Sequence, residues 1–157
     1  ALLEVHFLLS SGRHSAYYLQ CARVLMNSER ASRIALAIAQ KIPREIKSQL
    51  GAVISPAMGG VIIGHEMGRA LGVDAMFLER PEGTFYLRRG FEIAPGTKVL
   101  MVEDIAAAAI IDRSAGSADL GVPFFHLLEL NFPTYAPDEV PPELAAIEAV
   151  KPGSRKA

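Results

Sequence analysis

Glu103 and Asp104 follow directly on an apolar run, Val99 to Val102, in the string KVLMVEDI. A run of that kind forms a buried strand, and in an α/β sheet the carboxyl ends of the strands open on the ligand crevice. Two adjacent carboxylates there can hold vicinal ribose hydroxyls, bind Mg2+ through water, or stabilise positive charge at a sugar carbon. Taken alone, the dipeptide serves at least as well as a solvated strand end or a helix-capping acid. A second string, SPAMGG (Ser55, Pro56, Ala57, Met58, Gly59 and Gly60), follows the apolar run 52–54. Its paired glycines let backbone N–H groups approach an oxyanion ahead of a helix N-terminus, whose dipole adds to the attraction. Pyrophosphate fits such a turn, and so does a plain strand-to-helix connection.

Arg80, Arg88 and Arg89 lie on a glycine-containing hairpin, PEGTFYLRRGF and the residue before it, that holds no lysine. Guanidinium forks suit phosphate and can arrive on a mobile lid, although a charged hairpin is also a common solvated edge. In SSGRHSAYY a turn with Ser11, Gly12 and Arg13 leads to Tyr17 and Tyr18, which could flank a planar base or simply be core and surface residues of a strand. IIDRSAG is another apolar strand ending in charge, where Arg113 could grip a carboxylate bidentately or pair with Asp112. The histidines, His6, His14, His65 and His126, are scattered, with neither i+4 spacing nor cysteine companions, so zinc is not indicated. No nucleophile elbow, Walker A loop or GxGxxG fingerprint occurs.

These groups need a scaffold. The spacing predicts a strand over 17–21 and an N-cap at Asn27 or Ser28. It also predicts an amphipathic helix whose apolar face is Ile34, Ala35, Ile38, Ala39 and Ile42, disturbed at Pro43. Strands follow over 52–54, 75–78 and 98–102, with VIIGHEMGRALG as a helix between the first two. That alternation predicts an α/β domain with a central parallel sheet flanked by helices. The last twenty or so residues, with prolines at 137, 141, 142 and 152, read as a surface-hugging tail. The 157 residues, 50% hydrophobic, suffice for one compact domain. A net charge of -1 gives no global field for nucleic acid or an anionic membrane, and no apolar run reaches the roughly 20 residues of a transmembrane helix. One cysteine, Cys21, excludes an internal disulfide, and with no leader-like opening the chain is expected in the cytoplasm.

In this order, FLLSSGRHSAYYLQ, SPAMGG, FLERPEGTFYLRRGFEI, VLMVEDI, IDRSAG and EAVKPGSR resemble the orotate phosphoribosyltransferases over nearly the whole chain. The resemblance implies a type I phosphoribosyltransferase fold, with a core over about 27–119 and a small hood from the chain ends, about 1–26 and 120–157. It implies a homodimer that uses Mg2+ and acts on two small molecules, orotate and 5-phosphoribosyl 1-pyrophosphate, to give orotidine 5′-phosphate and pyrophosphate. It places Glu103 and Asp104 at the ribose, Ser55 to Gly60 around the pyrophosphate, and Arg80 on the pyrophosphate as a third catalytic group. Arg88 and Arg89 fall on the closing loop, Arg113 on orotate, and Ser11, Gly12, Tyr17 and Tyr18 along the base.

Three departures stand against that pattern. Where relatives carry a threonine- and glycine-rich phosphate cradle followed by a helix and a strand, this sequence has Ala106, Ala107, Ala108 and Ala109. A parallel crossover needs roughly 10–12 residues, so the sequence as written is expected to omit a segment near 105–110, with alanines standing for other residues. The intact polypeptide should then exceed 16.9 kDa. The closing-loop lysine and histidine of many relatives do not occur in PEGTFYLRRGF, and Gly59 and Ser10 stand where lysines are often found. Two other readings share the fold: a non-catalytic nucleotide-sensing regulator, motivated by the missing cradle, and a purine phosphoribosyltransferase, which would lack SSGRHSAYY and the Arg113 context.

Overall fold

The computed structural model describes residues 2–9, 11–103, 108–112 (backbone), 121–129 and 132–152. In chain order the elements are β1 (Leu2–Leu8), β2 (His14–Leu19), α1 (Ala22–Leu25), α2 (Ser28–Lys41), α3 (Arg44–Lys47), β3 (Leu50–Pro56) and α4 (Gly60–Leu71). There follow β4 (Asp74–Glu79), a 3-10 turn (Pro81–Gly83), β5 (Tyr86–Leu87), β6 (Lys98–Met101), β7 (Ala108–Asp112), β8 (Phe125–Glu129) and α5 (Pro142–Ala145). The chain divides into two compact units, 21–130 and the two ends, 1–20 with 131–157.

In the larger unit the sheet order is β5-β4-β3-β6. β3 is central and parallel to both β4 and β6, whereas the two-residue β5 closes one edge antiparallel. A central parallel strand is covered on both faces, which is why Ala52 to Pro56 are all buried and the sequence there is apolar without alternation. α2 begins where expected: the Asn27 side chain accepts a hydrogen bond from the Arg30 N–H at 2.9 Å. Its buried residues are Ala31, Ala35, Ile38 and Ala39, with Ile42 buried just beyond, while Ile34 lies at the margin of that face. Pro43 cannot continue the helix, and Ile42 is already extended. Fully buried Ile38, Ile63, Met67 and Val53 anchor the core, each worth about 1.5–3 kcal/mol of transfer free energy.

α4 approaches the sheet through glycines. A Cβ at Gly64 would lie 2.6 Å from Ser55 Cβ, and one at Gly68 would lie 2.7 Å from Ala75 Cβ. Spaced four apart with Gly60, they give the helix a bare stripe that lets its backbone touch β3 and β4. Gly72, left-handed at φ 72°, ends the helix with its N–H on the Gly68 carbonyl.

β7 does not join that sheet. It pairs in parallel with β8 as a separate two-stranded sheet, Ala108 against Phe125 through Asp112 against Glu129. Residues 102–107 separate β6 from β7, too few to return a strand parallel to β6 in the same sheet.

In the smaller unit β1 and β2 form an antiparallel hairpin with a register shift between Glu4 and Phe7. The strand expected over 17–21 therefore starts earlier, at His14, because pairing with β1 fixes it, and Cys21 is instead the N-cap of α1. Residues from the chain's other end add to it: Leu8 N–H bonds to the Val150 carbonyl and Val150 N–H to the His6 carbonyl, both at 2.9 Å. His14 and Tyr135 exchange backbone bonds at 2.8 Å. The proline-rich tail keeps one helical turn, α5, with Pro142 at its first position, where a missing N–H costs nothing.

Candidate active site

The strand ends of the larger unit bring the first two predicted groups together. Pro56 is in register with Leu78, and the Val102 N–H bonds to the Ile54 carbonyl at 2.8 Å, so β3, β4 and β6 finish at one edge. Ser55 to Gly60 turn over that edge. Ser55 is 1% exposed, its backbone in the β3 ladder. The Ala57 N–H bonds to the Leu78 carbonyl at 2.8 Å, which pins the turn to β4, and Met58 projects outward at 85% exposure. Gly59 is the N-cap of α4 and Gly60 its first residue. A Cβ at Gly60 would stand 3.0 Å from the Val102 carbonyl oxygen and 3.2 Å from Ser55 Cβ. The glycine thus lets the helix start lie against the tip of β6, one residue before half-buried Glu103. The loop at the start of a helix and an acid at a neighbouring strand end lie side by side, an arrangement suited to an anion attached to a polyol.

The hairpin arginines belong to the same unit. Arg80, just after β4, donates from Nε to the Gly83 carbonyl at 2.8 Å, with its guanidinium 5.0 Å from the Phe85 ring centre. Arg88 and Arg89 both reach Glu79, the last residue of β4, at 2.9 and 2.5 Å. Arg89's hydrogen bond holds the Glu79 carboxyl below its ordinary 4.5. Glu79 was not among the expected site residues. It carries the same signal as Glu103, an acid ending an apolar strand, although the apolar run itself stops at Leu78.

In the smaller unit Gly12, at φ 79°, closes the turn between β1 and β2, its N–H on the Leu9 carbonyl at 2.9 Å, and Ser11 sits beside it. Tyr17 stacks on Phe132 and Tyr18 tilts against Phe7, with ring centres 5.3 and 5.5 Å apart. Successive residues of a strand face opposite ways, so these rings are not a facing pair. Arg13 donates to the Thr134 hydroxyl at 2.9 Å and carbonyl at 2.6 Å. The register shift in β1 brings His6 Nε2 to 2.7 Å from His14 Nδ1, while His6 Nδ1 donates to the Ile147 carbonyl at 2.7 Å. Two of the four histidines are thus partners, brought together across the β1–β2 hairpin. Among the described residues no three His, Cys, Asp or Glu side chains form a metal cluster. Asp104 and Arg113 lie outside the described residues.

A parallel sheet with a glycine loop and an acid-tipped strand at its carboxyl edge is the arrangement of the type I phosphoribosyltransferases. The chain superposes on the crystal structure of orotate phosphoribosyltransferase from Aeropyrum pernix with a TM-score of 0.63, covering 83% of this chain and 88% of that one at 24% identity. No family model matches the sequence. It is 68% identical to the orotate phosphoribosyltransferase of Novosphingobium aromaticivorans over 99% of this chain and 91% of that protein. It is 46% identical to that of Parvibaculum lavamentivorans over the same shares. The chain belongs to the orotate phosphoribosyltransferase family. Its alignment with the Novosphingobium protein runs over 177 positions against 157 residues here, so at least 20 positions have no counterpart in this sequence.

Proposed function

We propose that this chain transfers the phosphoribosyl group of 5-phosphoribosyl 1-pyrophosphate to N1 of orotate, releasing pyrophosphate and giving orotidine 5′-phosphate for pyrimidine synthesis. The observation that carries this is the 68% identity over 99% of the chain to an orotate phosphoribosyltransferase. The convergence of the Ser55–Gly60 turn and Glu103 on one sheet edge supports it.

As the bond to pyrophosphate breaks, positive charge gathers on the ribose, so fixed negative groups at the sugar and cations around the leaving group lower the barrier most. Glu103 and Asp104 take the first role, holding the ribose hydroxyls and facing the anomeric carbon. The 55–60 turn, through the N–H groups that follow Ala57, together with Arg80, Arg88 and Arg89, takes the second. Where Mg2+ binds with the donor's pyrophosphate it would supply charge neutralisation of the leaving group, and the carboxylate of Glu103 is a hard oxygen donor that would hold it, directly or through water. Arg113 grips the orotate carboxylate, and Ser11, Gly12, Tyr17 and Tyr18 line the base. The smaller unit acts as a hood, and the protein works as a homodimer in the cytoplasm. No helix among the described residues is long and apolar enough to cross a membrane.

The sequence as written omits residues between Asp104 and Ile110 that complete the phosphate cradle and its crossover. The 20 or more unmatched positions support this, as does β6, which among the described residues pairs on one side only, beside an apolar groove of about 750 Å3 lined by Leu50, Val99, Met101 and Phe125 among others. An intact mass equal to 16.9 kDa would refute it.

The activity is tested by incubating the intact polypeptide with orotate, the activated ribose and Mg2+, and following orotate absorbance and pyrophosphate release. Absence of turnover would favour the nucleotide-sensing regulator. Arg113→Ala should weaken orotate far more than the donor, and equal losses would refute its assignment. Asp104→Asn should depress turnover with a modest effect on binding, as a transition-state contact requires.

A further inference from the structure

Glu79 holds two guanidiniums at once, and the way it holds them is specific. One carboxylate oxygen accepts from Nη1 of Arg88 at 2.9 Å, the other from Nε of Arg89 at 2.5 Å. A guanidinium offers two edges that can each give a parallel pair of N–H bonds, Nη1 with Nη2 and Nε with Nη2. Each arginine spends a single nitrogen on Glu79, and among the described residues no other engages either guanidinium. Toward the described residues Arg88 therefore keeps its Nε/Nη2 edge and Arg89 its Nη1/Nη2 edge, on side chains 56% and 66% exposed. Glu79 itself is only 18% exposed at the end of β4, one residue beyond the Leu78 carbonyl to which the 55–60 turn is pinned. The backbone is bent to suit: Arg89 is left-handed at φ 66°, unusual without glycine, and Gly90 follows at φ 72°.

We infer that Glu79 is a positioning residue, which fixes Arg88 and Arg89 by one nitrogen each so that a two-donor edge of both remains for the phosphoryl oxygens of the donor's pyrophosphate. The inference rests on the reading of the 55–60 turn and the hairpin arginines as a pyrophosphate site. A residue that merely stored the arginines away from substrate would have taken a bidentate edge, which is the edge phosphate needs. Ordering two long side chains beforehand removes an entropic cost from binding.

Long-range electrostatics alone predicts the opposite sign for loss of Glu79, because removing a negative charge near a polyanion strengthens the attraction. The test is calorimetric titration of Mg2+-pyrophosphate into the full-length protein and into Glu79→Gln, Glu92→Gln, Arg88→Gln, Arg89→Gln and the double variant Glu79→Gln with Arg89→Gln. Glu92 is a second carboxylate following the arginines, exposed and without a partner among the described residues, and serves as the charge control. Glu79→Gln should bind pyrophosphate about tenfold more weakly at an unchanged melting temperature, Glu92→Gln should bind the same or slightly more tightly, and the double variant should be little weaker than Arg89→Gln. In turnover assays KM for the donor should rise more than kcat falls. Unchanged or tighter binding by Glu79→Gln, with the arginine variants weakened, overturns the positioning role alone. Wild-type affinity in both arginine variants overturns the pyrophosphate reading of the hairpin and this inference with it.

Discussion

The turn of residues 55–60 and the hairpin of residues 79–91 leave adjacent strands of one sheet, yet they keep their shapes by opposite means. The turn is held by exclusion: Ser55 is buried, and Gly60 and Gly64 leave no room for a Cβ between α4 and the strands. The hairpin is held by attraction, with one carboxylate gathering two exposed guanidiniums and a third, that of Arg80, folded onto the Gly83 carbonyl and the Phe85 ring. Close packing cannot deform by a fraction of an ångström without loss, whereas exposed ion pairs exchange readily with water or with a substrate anion. A closely packed turn thus stands beside cations that one carboxylate orders while leaving them open to solvent.

If that contrast holds, mutations should damage the two regions in different measures. The largest loss is expected from Gly64→Ala: alanine favours a helix by roughly 1 kcal/mol, but its methyl would stand 2.6 Å from Ser55 Cβ. Urea unfolding should show a net destabilisation of about 2–3 kcal/mol, and a neutral result would break the claim that sterics set the turn. Gly60→Ala, with its tightest neighbour at 3.0 Å, should cost about 1 kcal/mol and weaken pyrophosphate binding by shifting the helix start off the tip of β6. Asn27→Ala, remote from both regions, supplies the scale of an ordinary cap at about 1 kcal/mol. Arg88→Gln and Arg89→Gln should change stability by less than about 0.5 kcal/mol while weakening the pyrophosphate complex, so that function and stability part company in the hairpin but not in the turn.

The smallest effect is one of pH. Glu79 titrates below its ordinary 4.5 in the folded protein because of Arg89's hydrogen bond, so its pairing contributes fully above the usual carboxylate range and is lost as acid protonates it. Protection factors of the hairpin amides, each rate taken against the intrinsic rate at the same pH, should fall on acidification through that range while those of β3 hold. An equal fall in both would show that the hairpin is packed like the core.

The α2 helix, its Asn27 cap and its stop at Pro43 were legible because each depends on neighbours a few residues away. So were β3, β4 and β6 and the loop that follows β3, since continuous apolar runs bounded by glycine and proline mark buried parallel strands. The start of β2 at His14 was not legible, because its partner β1 and the returning Tyr135 decide it. Tyr17 and Tyr18 looked like a pair in sequence, whereas the alternation of a strand sends each to its own aromatic partner. Glu79 was not legible, since its partners are residues 88 and 89, which the hairpin brings back across β4. His6 and His14 likewise meet only through the antiparallel register.

By itself the sequence determined the kinds of chemistry available and the order in which they occur: a glycine turn after one strand, an arginine hairpin after the next, acids after the third. Those are local facts, set by side-chain type and backbone freedom. Tertiary structure decided which of them share an edge, which glycines serve as contacts with the sheet, and how many donors of each arginine remain for a ligand. Such matters depend on distances between segments far apart along the chain, and those distances exist only once the strands have paired and the helix has settled against them.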